Sequence, residues 1–217
     1  MDEVGRGALA GPVVAAAVVL PAEADRIPDA LAGVRDSKQL DGAARCRLFP
    51  RILDAAAGVG IGAACPATVD TIGIARAGDL AMMRALARLP SPPDCLLVDG
   101  FRLRLSGLPQ RAVVRGDQTV LSIAAASIVA KVYRDAWMIR LGFEQAGYAF
   151  EAHKGYGTAD HLRAIHRLGA TVHHRLTWAP LGVVAPLKAA RPPRTSGSHP
   201  PRTRRAAAAA QPVLPGL

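Results

Sequence analysis

The sequence predicts a mixed α/β domain followed by a basic tail, and three observations carry that prediction. Short runs rich in Val and Ala alternate with longer stretches of helical period, the order that packs helices against a sheet. Half of the 217 residues are hydrophobic but only 4% are aromatic, so the core is built from Ala, Val, Leu and Ile. The periodic pattern ends near residue 188, where Pro, Arg, Ser, Gly and five consecutive alanines replace it. The domain is therefore expected over residues 1–187 and a disordered basic Pro/Arg/Ala-rich tail over 188–217.

The elements follow in order. Pro12 to Leu20 is an apolar run with the composition of a buried strand, and 21–29 reads as a loop. An amphipathic helix is expected at about 41–57, capped by Asp41 and weakened by Gly42 and Pro50. Val59 to Cys65 is a glycine-rich strand, a composition that suits close packing or a sheet edge. Thr68 to Leu89 has a helical pattern that Pro90, Pro92 and Pro93 stop. Cys95 to Val98 is a short buried strand ending in Asp99-Gly100, 101–109 a small hairpin or loop, and Ala112 to Val114 another strand. A long helix spans about 119–146, with a first half apolar nearly all round and therefore buried. A loop at 148–157, a helix at 158–168 and a closing segment at 173–184 complete the domain. Gly5 should be preceded by a strand, because Asp2 and Glu3 need a rigid element beneath them.

Charge and cysteine usage narrow the function classes. The formal charge is +10 and the pI about 10.5, a balance that favours polyanions such as nucleic acid. The tail holds Lys188, Arg191, Arg194, Arg202, Arg204 and Arg205 and no acid, which suits weak, salt-sensitive phosphate attraction. Cys46, Cys65 and Cys95 form no Cys-x-x-Cys pair and read as buried, reduced thiols of a cytoplasmic protein. Val13 to Leu20 is too short to span a bilayer. Asp2 and Glu3 give the wrong sign for a secretory leader. The six histidines show no metal-ligand spacing and read as structural or surface residues.

Four acids stand where an apolar element meets a polar one: Asp2, Glu3, Asp99 and Asp135. Singly they also read as surface acids, a turn-forming Asp-Gly and an ion pair with Lys131 or Arg134. Converging carboxylates repel one another, and divalent cations relieve that repulsion. A donor set of carboxylates alone prefers hard ions, Mg²⁺ or Mn²⁺. Two such ions about 4 Å apart activate water and steady the leaving oxygen of a phosphodiester. Arg6, Lys38, Arg115 and Lys131 each neighbour one of these segments, and Ser37 and Ser122 could bond phosphate oxygens. Tyr156, between Gly155 and Gly157, could stack on a sugar or base.

With these residues assembled, the chain resembles the prokaryotic type 2 ribonuclease H family, ribonuclease HII. The resemblance rests on Asp2-Glu-Val-Gly-Arg-Gly-Ala-Leu-Ala-Gly-Pro12, Asp36-Ser-Lys38, Val98-Asp-Gly100 and Gly116-Asp117 with Ser122-Ile-Ala-Ala-Ala-Ser-Ile128. It continues through Ala130-Lys-Val-Tyr-Arg-Asp135, His153-Lys-Gly-Tyr-Gly-Thr158 and His174-Arg175 with Pro180. It implies a ribonuclease H-like fold, with a mixed five-stranded sheet flanked by helices and a C-terminal helical segment. It implies hydrolysis of RNA in RNA–DNA hybrids and incision 5′ to single ribonucleotides in duplex DNA, leaving 3′-hydroxyl and 5′-phosphate ends. Asp2, Glu3, Asp99 and Asp135 match the metal-binding acids. Gly5, Arg6 and Gly7 match the motif whose backbone reads the ribose 2′-hydroxyl, and Tyr156 matches the tyrosine stacked at the RNA–DNA junction. Lys38, Arg115 and Ser122 fall where the family contacts phosphate.

The expected partners are hybrid and ribonucleotide-containing duplexes, with the protein a monomer that uses no membrane; the sequence does not decide a sliding-clamp contact. Arg115 stands where a lysine is usual, and Thr177-Trp178 where Ser-Phe is usual. The family has about half a strand ahead of the Asp-Glu pair, where this sequence has Met1. The first strand is therefore expected to be truncated, with Asp2 on a frayed end that binds metal poorly. The rival expectation is a catalytically weak nucleic-acid-binding protein of the same fold.

Overall fold

The computed structural model describes residues 1–21, 31–104 and 106–183. The expected loop at 21–29, beyond Pro21, and the expected tail lie outside them. Within the unit Met1–Leu187, the chain opens with strand β1 (Asp2–Val4), which turns through Gly5 to Pro12 into β2 (Val13–Val19). Helix α1 (Gly42–Ala55) follows, with the Asp41 side chain accepting from the Ala44 amide as its cap. Strand β3 (Gly58–Ala64) leads to α2 (Pro66–Ile72) and α3 (Ile74–Leu86). The single helix expected at 68–89 is thus two, because Gly73 sits at φ +79° between them.

Strand β4 (Leu96–Asp99) pairs with β5 (Gln110–Val113) in parallel, so the segment between them is a crossover loop and not a hairpin. A short turn of helix, α4 (Gly116–Thr119), precedes the long α5 (Leu121–Glu144). The loop expected at 148–157 contains one helical turn, α6 (Phe150–His153), and α7 (Ala159–Leu168) is capped by Thr158. A 3-10 turn at Leu181–Val183 ends the described chain.

β2 lies between β1 and β3, antiparallel to both. Its alternate residues enter different cores. Val13, Ala15 and Ala17 pack with α3 residues Ala77, Ala81 and Met82, whereas Val14, Ala16 and Val18 pack with Leu48, Ile52 and α5. Burial on both faces explains why this strand is an unbroken apolar run. β3 is glycine-rich because α3 lies directly on it: a Cβ at Gly60 or Gly62 would stand 2.0 or 2.1 Å from the carbonyl oxygens of Ala85 and Ala81.

The sheet implied as five-stranded is present as three strands plus two. Met1 laces them together, its ammonium donating to the Leu97 carbonyl (2.7 Å) and its carbonyl accepting from the Asp99 amide (3.1 Å). One residue makes no ladder, so the two sheets stay distinct. The opening segment is nonetheless not frayed: Met1 is buried and Asp2 to Val4 pair with Val14 to Ala16. All three cysteines, expected inside, are exposed. They sit on α1, at the cap of α2 and just ahead of β4. No described helix is long and apolar enough to cross a membrane.

Candidate active site

β1 delivers two carboxylates to the end of β4. Asp2 is buried, and its Oδ1 accepts the Glu3 amide at 2.7 Å. Burial, and then the neighbouring Glu3 carboxylate, push its carboxyl up to about 7. Burial also raises Glu3, against the Arg6 guanidinium that reaches its Oε1 at 3.0 Å. The other Glu3 oxygen, Oε2, is buried with no hydrogen-bond partner. Asp99, brought alongside by the Met1 bond, acts on both acids electrostatically, and its Oδ1 accepts the Gly116 amide at 2.7 Å.

That last bond places Asp117 beside the group. Asp117 is buried, and its Oδ2 accepts from Lys38 at 2.9 Å; Lys38 in turn feels the charge of Asp2. The bond to Asp117 is the main reason the Lys38 ammonium titrates above its usual range, although the side chain is 76% exposed. Asp36, also buried, holds the Lys38 amide and lies 4.0 Å from its ammonium.

The remaining sequence-derived residues divide. Asp135 is not brought to the group: it pairs with Lys131 at 2.9 Å, one helical turn away, and lies 4.0 Å from Arg45. It is eight residues along α5 from Ser127, the position that bonds Asp2, which is about 12 Å of helix. Ser37 is buried, with its hydroxyl 2.8 Å from that of Ser127, so it braces the floor of the site and does not face a ligand. Arg115 is exposed, on a left-handed backbone (φ 53°) ahead of Gly116. Ser122 is half-buried in a cleft of about 390 Å³ behind Met1, with Leu20, Leu97 and Val120. Tyr156 is half-buried, its ring 5.4 Å from the Arg134 guanidinium.

The comparisons with known proteins then decide the family. A family model described as ribonuclease HII matches residues 1–181. The chain belongs to the ribonuclease HII family. A ribonuclease HII from Roseiflexus castenholzii is 53% identical over 186 residues, covering 86% of this chain and 83% of the relative. One from Rhodospirillum rubrum is 56% identical over 183 residues, 83% of each. The fold matches that of the ribonuclease HII in a PCNA:RNase HII complex from Archaeoglobus fulgidus, with a TM-score of 0.66 at 24% identity, over 82% of this chain and 92% of that one. Membership makes this a metal-dependent endoribonuclease acting on RNA–DNA hybrids.

The residues present fit a divalent cation. The orphaned Glu3 oxygen, the raised Asp2 and the adjacent Asp99 form an oxygen-only set short of positive charge. Among the described residues no three acids, histidines or cysteines stand in ready ligating geometry. Sequence reasoning passed over Asp117 and Asp36, although both lie inside quoted segments. The available signal was an acid following glycine at the start of a buried helix, a weaker mark than the Lys131–Asp135 stripe that drew attention to Asp135.

Proposed function

We propose that this ribonuclease HII also incises duplex DNA on the 5′ side of a single embedded ribonucleotide, leaving 3′-hydroxyl and 5′-phosphate ends. The observation that carries the reading is the pair of under-compensated acids Asp2 and Glu3 beside Asp99, followed directly by the Gly5-Arg6-Gly7 segment, in which Gly7 is exposed.

Asp2, Glu3 and Asp99 would hold Mg²⁺ or Mn²⁺, with Asp117 joining through its neighbour Gly116. When bound, such ions activate water and stabilise the leaving oxygen of the phosphodiester. The chain's own residues do the rest. Arg6 fixes one Glu3 oxygen and leaves the other for the cation. Lys38 and Arg115 carry positive charge to the phosphates on either side. Tyr156 offers a ring for stacking at the junction. The backbone of residues 5–7 meets the 2′-hydroxyl, the group that separates RNA from DNA.

The test is a duplex carrying one ribonucleotide, incubated with Mn²⁺ or Mg²⁺ beside an all-DNA control, with both product ends mapped. The expected result is one cut 5′ to the ribonucleotide and none in the control. Tight binding without incision would favour the nucleic-acid-binding rival, and cutting of the control would mark a DNA nuclease.

A further inference from the structure

Two arginines, Arg134 and Arg175, are fully buried, and among the described residues neither is paired with a carboxylate. A buried guanidinium without an anion is costly, and burial lowers both, Arg175 to about 10 with Arg134 adding repulsion. The Arg175 Nε has no acceptor at all. What compensates is a set of main-chain carbonyls. Arg175 donates to the carbonyls of Arg6 (2.7 Å), Gly5 (2.6 Å) and Gly11 (3.1 Å). Arg134 donates to Pro12 (2.9 Å), Ala10 (3.1 Å) and Lys154 (3.0 Å).

We propose that Arg134 and Arg175 are positioning residues that clamp the Gly5–Pro12 loop so that the amides of Arg6 and Gly7 face the ribose 2′-hydroxyl. The proposal rests on the reading of residues 5–7 given above. In a trans peptide the N–H points opposite to the C=O. Arg175 draws the Gly5 and Arg6 carbonyls inward, so the next two amides, of Arg6 and Gly7, are turned outward. Gly7 is exposed, with open space where a Cβ would be. Gly5, at φ +87°, lies so close to Arg134 that a Cβ would stand 2.2 Å from its Nε.

The clamp also joins the two segments that would contact the junction. Arg134 holds Ala10 and Pro12 with one part of its fork, Lys154 with another, and lies over the Tyr156 ring. The Gly155 carbonyl accepts the amides of Leu9 and Ala10, locking the loops together. Arg175 is itself fixed from α2: the Asp70 carboxylate takes the amides of Leu176 and Thr177 and the Thr177 hydroxyl. The Arg175 guanidinium also lies 4.9 Å over the Trp178 ring.

Lysine keeps the charge but has one terminal nitrogen in place of the planar fork, so Arg175→Lys cannot reproduce bonds that Nη1 and Nη2 make at separate points. Binding is compared with Ca²⁺ in place of Mn²⁺, for a duplex with one ribonucleotide and for its all-DNA counterpart. Wild type is expected to prefer the ribonucleotide duplex, and Arg175→Lys to lose about tenfold of that preference while holding the all-DNA duplex unchanged. A general loss of structure would weaken both duplexes alike. Asp70→Asn, which loosens the turn carrying Arg175 and leaves both arginines in place, should shift the ratio in the same direction. It decides the matter if Arg175→Lys does not fold. A folded variant of either kind with the wild-type ratio overturns the clamp and leaves the 2′-hydroxyl reading intact. A wild-type protein without any preference overturns that reading, and the clamp with it.

Discussion

At the scale of single residues, position relative to one strand end separates acids that look alike in the sequence. Asp135 lies within α5 and Asp117 just ahead of it, but only Asp117 follows directly on the residue, Gly116, whose amide bonds Asp99. Asp117→Asn should therefore cost about a hundredfold or more in kcat/KM, and Asp135→Asn about threefold or less, since it loses only a partly exposed ion pair. Comparable losses from both would return Asp135 to the site. Local pattern could not make this distinction, because it depends on which face of α5 meets β1.

The buried histidines behave as the sequence suggested, and their bonds fix their protons. The His174 Nδ1 accepts the Thr171 amide, so its Nε2 carries the proton and donates to His161 Nε2, whose Nδ1 donates to the Tyr156 carbonyl. Burial lowers His174 to about 4, and lowers His161 as well. A histidine depressed in the folded state adds stability above its unfolded pKa and loses it as the pH falls. Stability should thus decline between about pH 6.5 and 4, by about 2 kcal/mol at pH 5 from His174 alone. Denaturant titrations at pH 7.5 and 5 measure this, and a His174→Gln variant should show a smaller pH dependence.

At the scale of elements, the strands were legible where burial dictates composition. β2 reads as a strand because both of its faces are covered, and α1 because Asp41 caps it. The break at Gly73 and the parallel pairing of β4 with β5 were not legible. One is a single-residue backbone choice, and the other depends on a partner that local pattern does not name. The glycines of β3 were read as close packing or an edge, and both hold. The helix α3 presses on that strand while Arg84 and Arg88 donate to its Ala63 and Ile61 carbonyls. Gly62→Ala should destabilise by about 2–4 kcal/mol, since a methyl there meets main chain that cannot move aside. Chemical denaturation checks it; a loss under about 0.5 kcal/mol would show that α3 shifts freely over the sheet.

At the scale of the whole molecule, the fold serves to bring chain segments a hundred residues apart to one strand end. Met1 binds β4, so Asp2 and Glu3 arrive beside Asp99; Gly116 then binds Asp99, so Asp117 arrives with Lys38. Asp117 comes paired with Lys38, but Asp2 and the free oxygen of Glu3 are left without matching positive charge. A hard cation completes that balance. The most direct test is calorimetric titration of Mn²⁺ into wild type and into Asp99→Asn at neutral pH. Wild type is expected to take up the ion and the variant to bind it at least about tenfold more weakly. If wild type takes up neither Mn²⁺ nor Mg²⁺, even with a ribonucleotide-containing duplex present, these acids do not form a metal site.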